Sequence, residues 1–248
     1  MIPVTIRTAA AMALPVVLVG AASALPLVLG AWLALNWRLS DRVVGLIAAF
    51  GAGALISAIA FELVLDAVDH GAPAYLAAAL ALGAMVYFIG SELLERRSRS
   101  GDESSRGLAL LMGATLDGIP ESLILGISMA AGRGLSLPFL VAVIISNLPE
   151  GMASAAELRD DPDYTTKRIL VMWGVVVCIS AITAGLGAAV AARGAAAGAV
   201  AEAFAAGALL TMLTDDLIPE ARQRGGLGAG LTAVLGFAVA FALHQLGA

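Results

Sequence analysis

Gly107-Leu-Ala-Leu-Leu-Met-Gly-Ala-Thr-Leu-Asp117-Gly-Ile-Pro-Glu121-Ser-Leu-Ile-Leu-Gly-Ile-Ser-Met-Ala-Ala131 is long enough and apolar enough to cross a membrane, yet it carries two acids and a proline near its middle. A helix needs about 20 residues to span the hydrocarbon core. Asp117 and Glu121 are four apart and so share one helix face. A shorter version of the motif, Asn147-Leu-Pro-Glu150, lies in the next apolar run.

The rest of the chain has the same solvent. Of 248 residues, 60% are hydrophobic and 13% charged, and the mean hydropathy of +0.94 excludes a soluble domain with a polar surface. Leu, Ala, Val, Ile and Gly dominate while aromatics are 5%, which suits close-packed helices rather than barrel strands with alternating faces. The expected fold is all-α: a polytopic bundle of eight transmembrane helices forming one membrane domain over 1–248. The spans fall at about 9–35, 43–65, 73–93, 107–131, 137–158, 168–192, 198–219 and 226–246. Cys178 has no partner for a disulfide, no Cys/His group has zinc-finger spacing, and no basic stripe serves a nucleic acid.

Loop charges predict the orientation. Of 14 basic residues, 11 fall on one side (Arg38, Arg42, Arg96, Arg97, Arg99, Arg106, Arg159, Lys167, Arg168, Arg222, Arg224) and Arg7, Arg133 and Arg193 on the other. The positive-inside rule makes the first side cytoplasmic, with both termini outside, as in a bacterial inner membrane. A cleavable signal peptide is the rival for the first span, because Arg7, an apolar run and Ala22-Ser23-Ala24 resemble its layout. The apolar run nevertheless continues through Leu35.

An internal repeat is also legible. Phe50-Gly-Ala-Gly-Ala-Leu-Ile-Ser-Ala-Ile-Ala-Phe-Glu62-Leu-Val-Leu-Asp66-Ala67 aligns with Phe204-Ala-Ala-Gly-Ala-Leu-Leu-Thr-Met-Leu-Thr-Asp215-Asp216-Leu-Ile-Pro-Glu220-Ala221. Ile119-Pro-Glu-Ser122 repeats as Leu148-Pro-Glu-Gly151. The spans in each pair cross in opposite directions, the mark of an inverted repeat whose binding site lies near the bilayer midplane.

Glu62, Asp117, Glu121, Glu150, Asp215 and Asp216 fall inside the expected spans, where a carboxylate costs about 2.5–3.5 kcal/mol by insertion scales. No Lys or Arg lies inside a span to neutralise them. Glu121 and Glu150 both lie about 20 Å from the start of their helices at 1.5 Å per residue. Pro120 and Pro149 lack an N–H and free the carbonyls of Leu116 and Ile145. Carboxylates beside bare carbonyls make an oxygen cage for a divalent cation. Glu62, Asp66, Asp69 and His70 lie toward the outer end of span 2, and Asp215, Asp216 and Glu220 toward the inner end of span 7, as entry and exit stations or as solvated ends. Glu92, Glu95, Glu157, Asp160, Asp161, Asp163 and Glu202 are expected to be solvated.

At these residues the chain resembles the ZIP family of divalent metal transporters, whose eight helices carry Pro-Glu motifs on helices four and five. The resemblance implies a metal site with Asp117 where the family has His, Gly118 for its Asn, Glu121 in place and Ser122 for Gly. On helix five, Ser146 and Asn147 take the first two positions, followed by Glu150 and Gly151. The missing imidazole shifts the set toward oxygen and toward harder ions such as Mn²⁺ or Fe²⁺, with zinc the family default.

The expected function is a secondary carrier bringing a divalent cation toward the cytoplasm. Asp117, Glu121, Asn147, Glu150, Ser146, Asp215, Asp216 and Glu62 are the expected metal residues. The cation is the substrate, no organic cofactor is implied, and a homodimer is the expected assembly. The alternative is a metal-binding sensor or scaffold that has lost transport. An intramembrane aspartyl protease would need a Gly-x-Gly-Asp signature, which no span carries, so no enzyme is expected.

Overall fold

In the computed structural model, described for residues 4–100, 103–132, 134–159 and 161–247, all regular structure is helical. Side chains are described within 14–65, 67–68, 70–96, 109–132, 134–159 and 161–246. Eight helices follow in order: α1 (Val4–Asn36), α2 (41–70), α3 (Pro73–Ser100), α4 (Glu103–Ala130), α5 (Leu137–Arg159), α6 (Thr166–Ala191), α7 (Ala195–Gly225) and α8 (Gly228–Gly247). All eight contain a segment long and apolar enough to cross a membrane. Ser40 caps α2 by accepting the Val43 N–H, and Thr165 caps α6 by accepting the Arg168 N–H at 3.2 Å. Gly194 and Gly226, at φ +124° and +66°, make the turns into α7 and α8.

The successive crossings put the turns at 37–40, 161–165 and 226–227, with the end of α3 and the start of α4, on one face, here the arginine-rich face, and the remaining turns on the opposite face. α1 runs unbroken through Ala22-Ser23-Ala24 and packs on α5 and α6. Arg7, Arg97, Arg99, Arg106, Arg133 and Asp160 contribute no described side chain.

Packing separates the helices by role. In the spans of α2 and α7, 67% and 61% of the most apolar window is buried, against 22% and 17% for α3 and α8, so α2 and α7 form the centre and α3 and α8 flank them. The outer surfaces of α6 and α8 carry Ile182, Leu186, Leu231, Val234 and Leu235, all exposed. Such a surface suits acyl chains and would be an aggregation hazard in water. Inside, one apolar core runs through Leu55, Ile59, Leu63, Ile124, Phe139 and Leu209, and a second through Leu27, Leu158, Ile169 and Trp173.

The expected internal symmetry is visible in this packing. α2 lies chiefly on α8 and α7 chiefly on α3, while α5 lies on α1 and α4 on α6. Exchanging α1, α2, α3 with α6, α7, α8, and α4 with α5, maps these pairs onto one another. The contacts repeat at the level of single glycines. A Cβ on Gly53 would stand 1.8 Å from the Ala233 carbonyl oxygen, and one on Gly207 would stand 2.0 Å from that of Leu80. Gly236 abuts Phe50 and Gly83 abuts Phe204 in the same way. Gly53 and Gly207 are related by the same 154-residue offset as Phe50 and Phe204. Small residues let the backbones touch, which substitutes for a hydrophobic driving force between helices in lipid.

Two features depart from the sequence-based picture. Both central helices are interrupted by π turns, Ile59–Val64 in α2 and Leu213–Leu217 in α7, which begin at the same point of the repeat. Each carries intramembrane acids, Glu62 in the first and Asp215 and Asp216 in the second. Such single-turn π segments often occur at functional sites. Secondly, α7 does not end near 219 but continues through Gly225, which brings Arg222 and Arg224 into its last turn.

Candidate metal path

α4 and α5 are consecutive, but they pack on α6 and α1 and touch each other only over a short stretch. At that stretch the two Pro-Glu motifs meet through an amide. Glu121 is 2% exposed and Asn147 is 3% exposed, and the Asn147 side chain lies within reach of the Glu121 carboxyl. The same Asn147 amide donates to the Ser23 carbonyl of α1 at 2.9 Å. An amide nitrogen has two hydrogens, so it can serve both acceptors. Asn147 therefore ties α1, α4 and α5 together at the depth of the prolines.

The arginine-rich side of this point is open. A cavity of about 700 Å³ is lined by Glu92 and Glu95 of α3, Asp117 of α4, Glu150 of α5 and Asp215 and Asp216 of α7. Glu150 also lies within Coulombic range of Glu121 and Glu220. Acids from four helices thus line one cavity, and Glu121 and Asn147 are buried outside its lining. Glu92 and Glu95, expected as solvated ends, line this cavity, and Glu92 pairs with Arg96 at 2.7 Å.

Tyr87 is the member that sequence reasoning missed. It is 3% exposed on α3, and its hydroxyl contacts both Asp117 and, at 2.8 Å, Asp216. One phenolic hydrogen cannot be donated fully to two carboxylates, so at least one proton must be shared within the trio or a cation must offset the second charge. A lone tyrosine in an apolar helix gives no sequence signal, because only the packing of α3 on α7 brings it there.

The remaining expected residues divide. Ser146 donates to the Val143 carbonyl of its own helix at 3.0 Å, and its backbone packs against Gly51 of α2. Its hydroxyl is thus engaged away from the acids. Glu220 is paired with Arg224 at 2.9 Å, and Arg224 also reaches Asp41 at 3.3 Å and Glu157 at 3.9 Å. The extension of α7 supplies this counter-ion. Glu62 lies on the other half of the membrane, where it accepts from Ser136 at 2.7 Å and contacts His244 at 2.6 Å. The side chains of Asp66 and Asp69 lie outside the described residues. Glu202, expected to be solvated, is 2% exposed. It is enclosed because α7 is central, and it lines a cavity of about 290 Å³ with His70.

Among the described residues, no three His, Cys, Asp or Glu side chains already form a tight coordination shell. Of the acids, Asp117 and Asp216 are held by Tyr87, a neutral group.

No protein-family model matches this chain. Over 193 residues, 74% of its length, the chain is 22% identical to a protein of Arabidopsis thaliana that carries the name "Putative zinc transporter". The match spans 31% of that longer protein. The likeness covers most of the bundle described above and agrees with a polytopic membrane protein related to a metal transporter.

Proposed function

We propose that this chain is a secondary carrier of divalent transition metal cations, with the ion moving toward the arginine-rich, cytoplasmic face. The observation that carries this reading is the convergence of Asp117, Glu150 and Asp216 from three helices on one cavity, with Glu121 and Asn147 buried beyond it. Buried acids without a basic partner are costly in lipid, and ion conduction is the usual reason a membrane helix retains them. The ion crosses at Glu121, Asn147 and Glu150, exchanges onto Asp117 and Asp216, and leaves through the cavity past Asp215. The inverted repeats supply two related halves that move against each other.

Zinc is the metal named for the relative and the default of the ZIP family that the sequence resembles. The oxygen-rich donor set extends the range to Mn²⁺ and Fe²⁺. Zinc, manganese and iron uptake into proteoliposomes tests the proposal directly. Glu121→Ala and Glu150→Ala should each reduce uptake at least tenfold, and unchanged flux in both would overturn the site. Metal binding with no flux in the wild-type protein would favour the sensor or scaffold, a reading motivated by Asp117 and Gly118 standing where the family has His and Asn.

A further inference from the structure

The internal two-fold relates the cavity's Asp216 to Glu62, which stands at the same place in the α2 repeat on the opposite side of the membrane. Around Asp216, the hydroxyl of Tyr87 from α3 bridges to Asp117 of α4. Around Glu62 the equivalent helices contribute different chemistry. α8, the counterpart of α3, brings His244, whose Nδ1 lies 2.6 Å from Glu62 Oε1. The start of α5, the counterpart of α4, brings Ser136, whose hydroxyl donates to Glu62 Oε2 at 2.7 Å. Ser136 is held in place because its Oγ also accepts the Phe139 N–H at 3.3 Å. Phe61 lies on His244, with ring centroids 5.7 Å apart and planes 29° apart, and on Phe241 at 5.0 Å. Aromatic rings therefore neighbour Glu62, whereas Asp216 in the other half of the molecule lines a cavity.

We propose that Glu62, His244 and Ser136 form a second divalent-cation site at the face opposite the arginine-rich one. A carboxylate and an imidazole are the donor pair that borderline ions such as Zn²⁺ and Co²⁺ take, and the hydroxyl supplies a neutral third oxygen. Glu62 and His244 retain partial access, with 18% and 26% of their side chains exposed. A metal between Nδ1 and Oε1 takes the place of a proton, which moves to Nε2 or to water. Bonds of about 2.0–2.1 Å in tetrahedral geometry hold two ligand atoms roughly 3.3 Å apart, wider than the 2.6 Å seen here. Binding therefore widens the contact between the Glu62 and His244 side chains. The site rests on the carrier reading only for the class of ligand, and it is the natural first stop for an ion entering from that face.

The test is a cobalt titration of the purified protein carrying Asp117→Asn, Glu121→Gln, Glu150→Gln and Asp216→Asn, so that the acids of the proposed path do not contribute. Visible absorption of bound Co²⁺ reports nitrogen and oxygen ligation. About one Co²⁺ per chain should remain, and His244→Gln or Glu62→Gln added to this background should weaken it at least tenfold. Both replacements are near-isosteric, and an unchanged thermal midpoint verifies the fold. A titration insensitive to both substitutions would overturn the site. Flux is read separately in vesicles of the otherwise wild-type protein. A cobalt site lost with His244→Gln in a protein without flux keeps this proposal and removes the carrier reading, whereas flux with no cobalt response at His244 does the reverse.

Discussion

Tyr87 illustrates how much one hydroxyl can decide. It occupies both Asp117 and Asp216, so a cation arriving at either acid must compete with it. A hydrogen bond to a charged group contributes about 1.5–3 kcal/mol net, equivalent to roughly tenfold or more in affinity. Tyr87→Phe keeps the ring and removes the competitor, and it should tighten metal binding about tenfold in a calorimetric titration. Weaker binding would instead mean that the phenol oxygen is itself a ligand. Asn147 differs in kind, because its amide holds α1 as well as Glu121. Asn147→Asp places a further acid beside the buried Glu121 and removes the donor to Ser23. The expected outcome is a lower thermal midpoint in metal-free detergent solution, partly restored by added metal, since a ligand that binds only the folded state stabilises it.

For the helices, stability rests on close backbone approach rather than on side-chain size. A Cβ on Gly53 or Gly207 would meet a carbonyl oxygen of the neighbouring helix at 1.8 or 2.0 Å. Gly53→Ala and Gly207→Ala should therefore each destabilise by about 1–3 kcal/mol, the usual range for overpacking, by forcing α2 from α8 or α7 from α3. Gly174→Ala, where a Cβ meets nothing within 4 Å, should be neutral or gain up to about 1 kcal/mol from helix propensity. Thermal unfolding of the three variants separates these outcomes. The glycine-rich character of these spans was readable from the chain, and so was the match between Phe50–Ala67 and Phe204–Ala221. The π turns were not, because they depend on hydrogen bonds shifting by one residue, and the residues in them have no distinctive propensity. The extension of α7 through Gly225 was likewise hidden by a charged segment that reads as a loop until Arg224 finds Glu220, Asp41 and Glu157.

At the scale of the whole molecule the two halves are alike in sequence pattern and unlike in state. The cavity of about 700 Å³ lies toward the arginine-rich face, while around Glu62, in the other half, stand Phe61, Phe241 and His244. The proposed carrier predicts a consequence of this difference. In a Cys178→Ser background, Ser154→Cys, which lines the cavity, should react with a membrane-impermeant thiol reagent only from the arginine-rich face, and bound metal should slow that reaction. Ala240→Cys, buried on α8, should remain unreactive from both faces. Equal labelling of Ser154→Cys from both faces would contradict a structure open on one side.

The sequence by itself determined the solvent, the number of crossings, the inverted relation of the central helices and the acids that need a partner. Each of these follows from local quantities: length of apolar run, position of charge, and repetition along the chain. Tertiary structure alone decided which acids share a cavity, that Tyr87 stands between two of them, that Ser146 turns back on its own helix and that Glu62 faces His244 across the membrane from Asp216. Those outcomes depend on which helix face meets which neighbour, and in lipid that is fixed by small-residue contacts between helices far apart in the chain rather than by polarity, which is uniform along most of it.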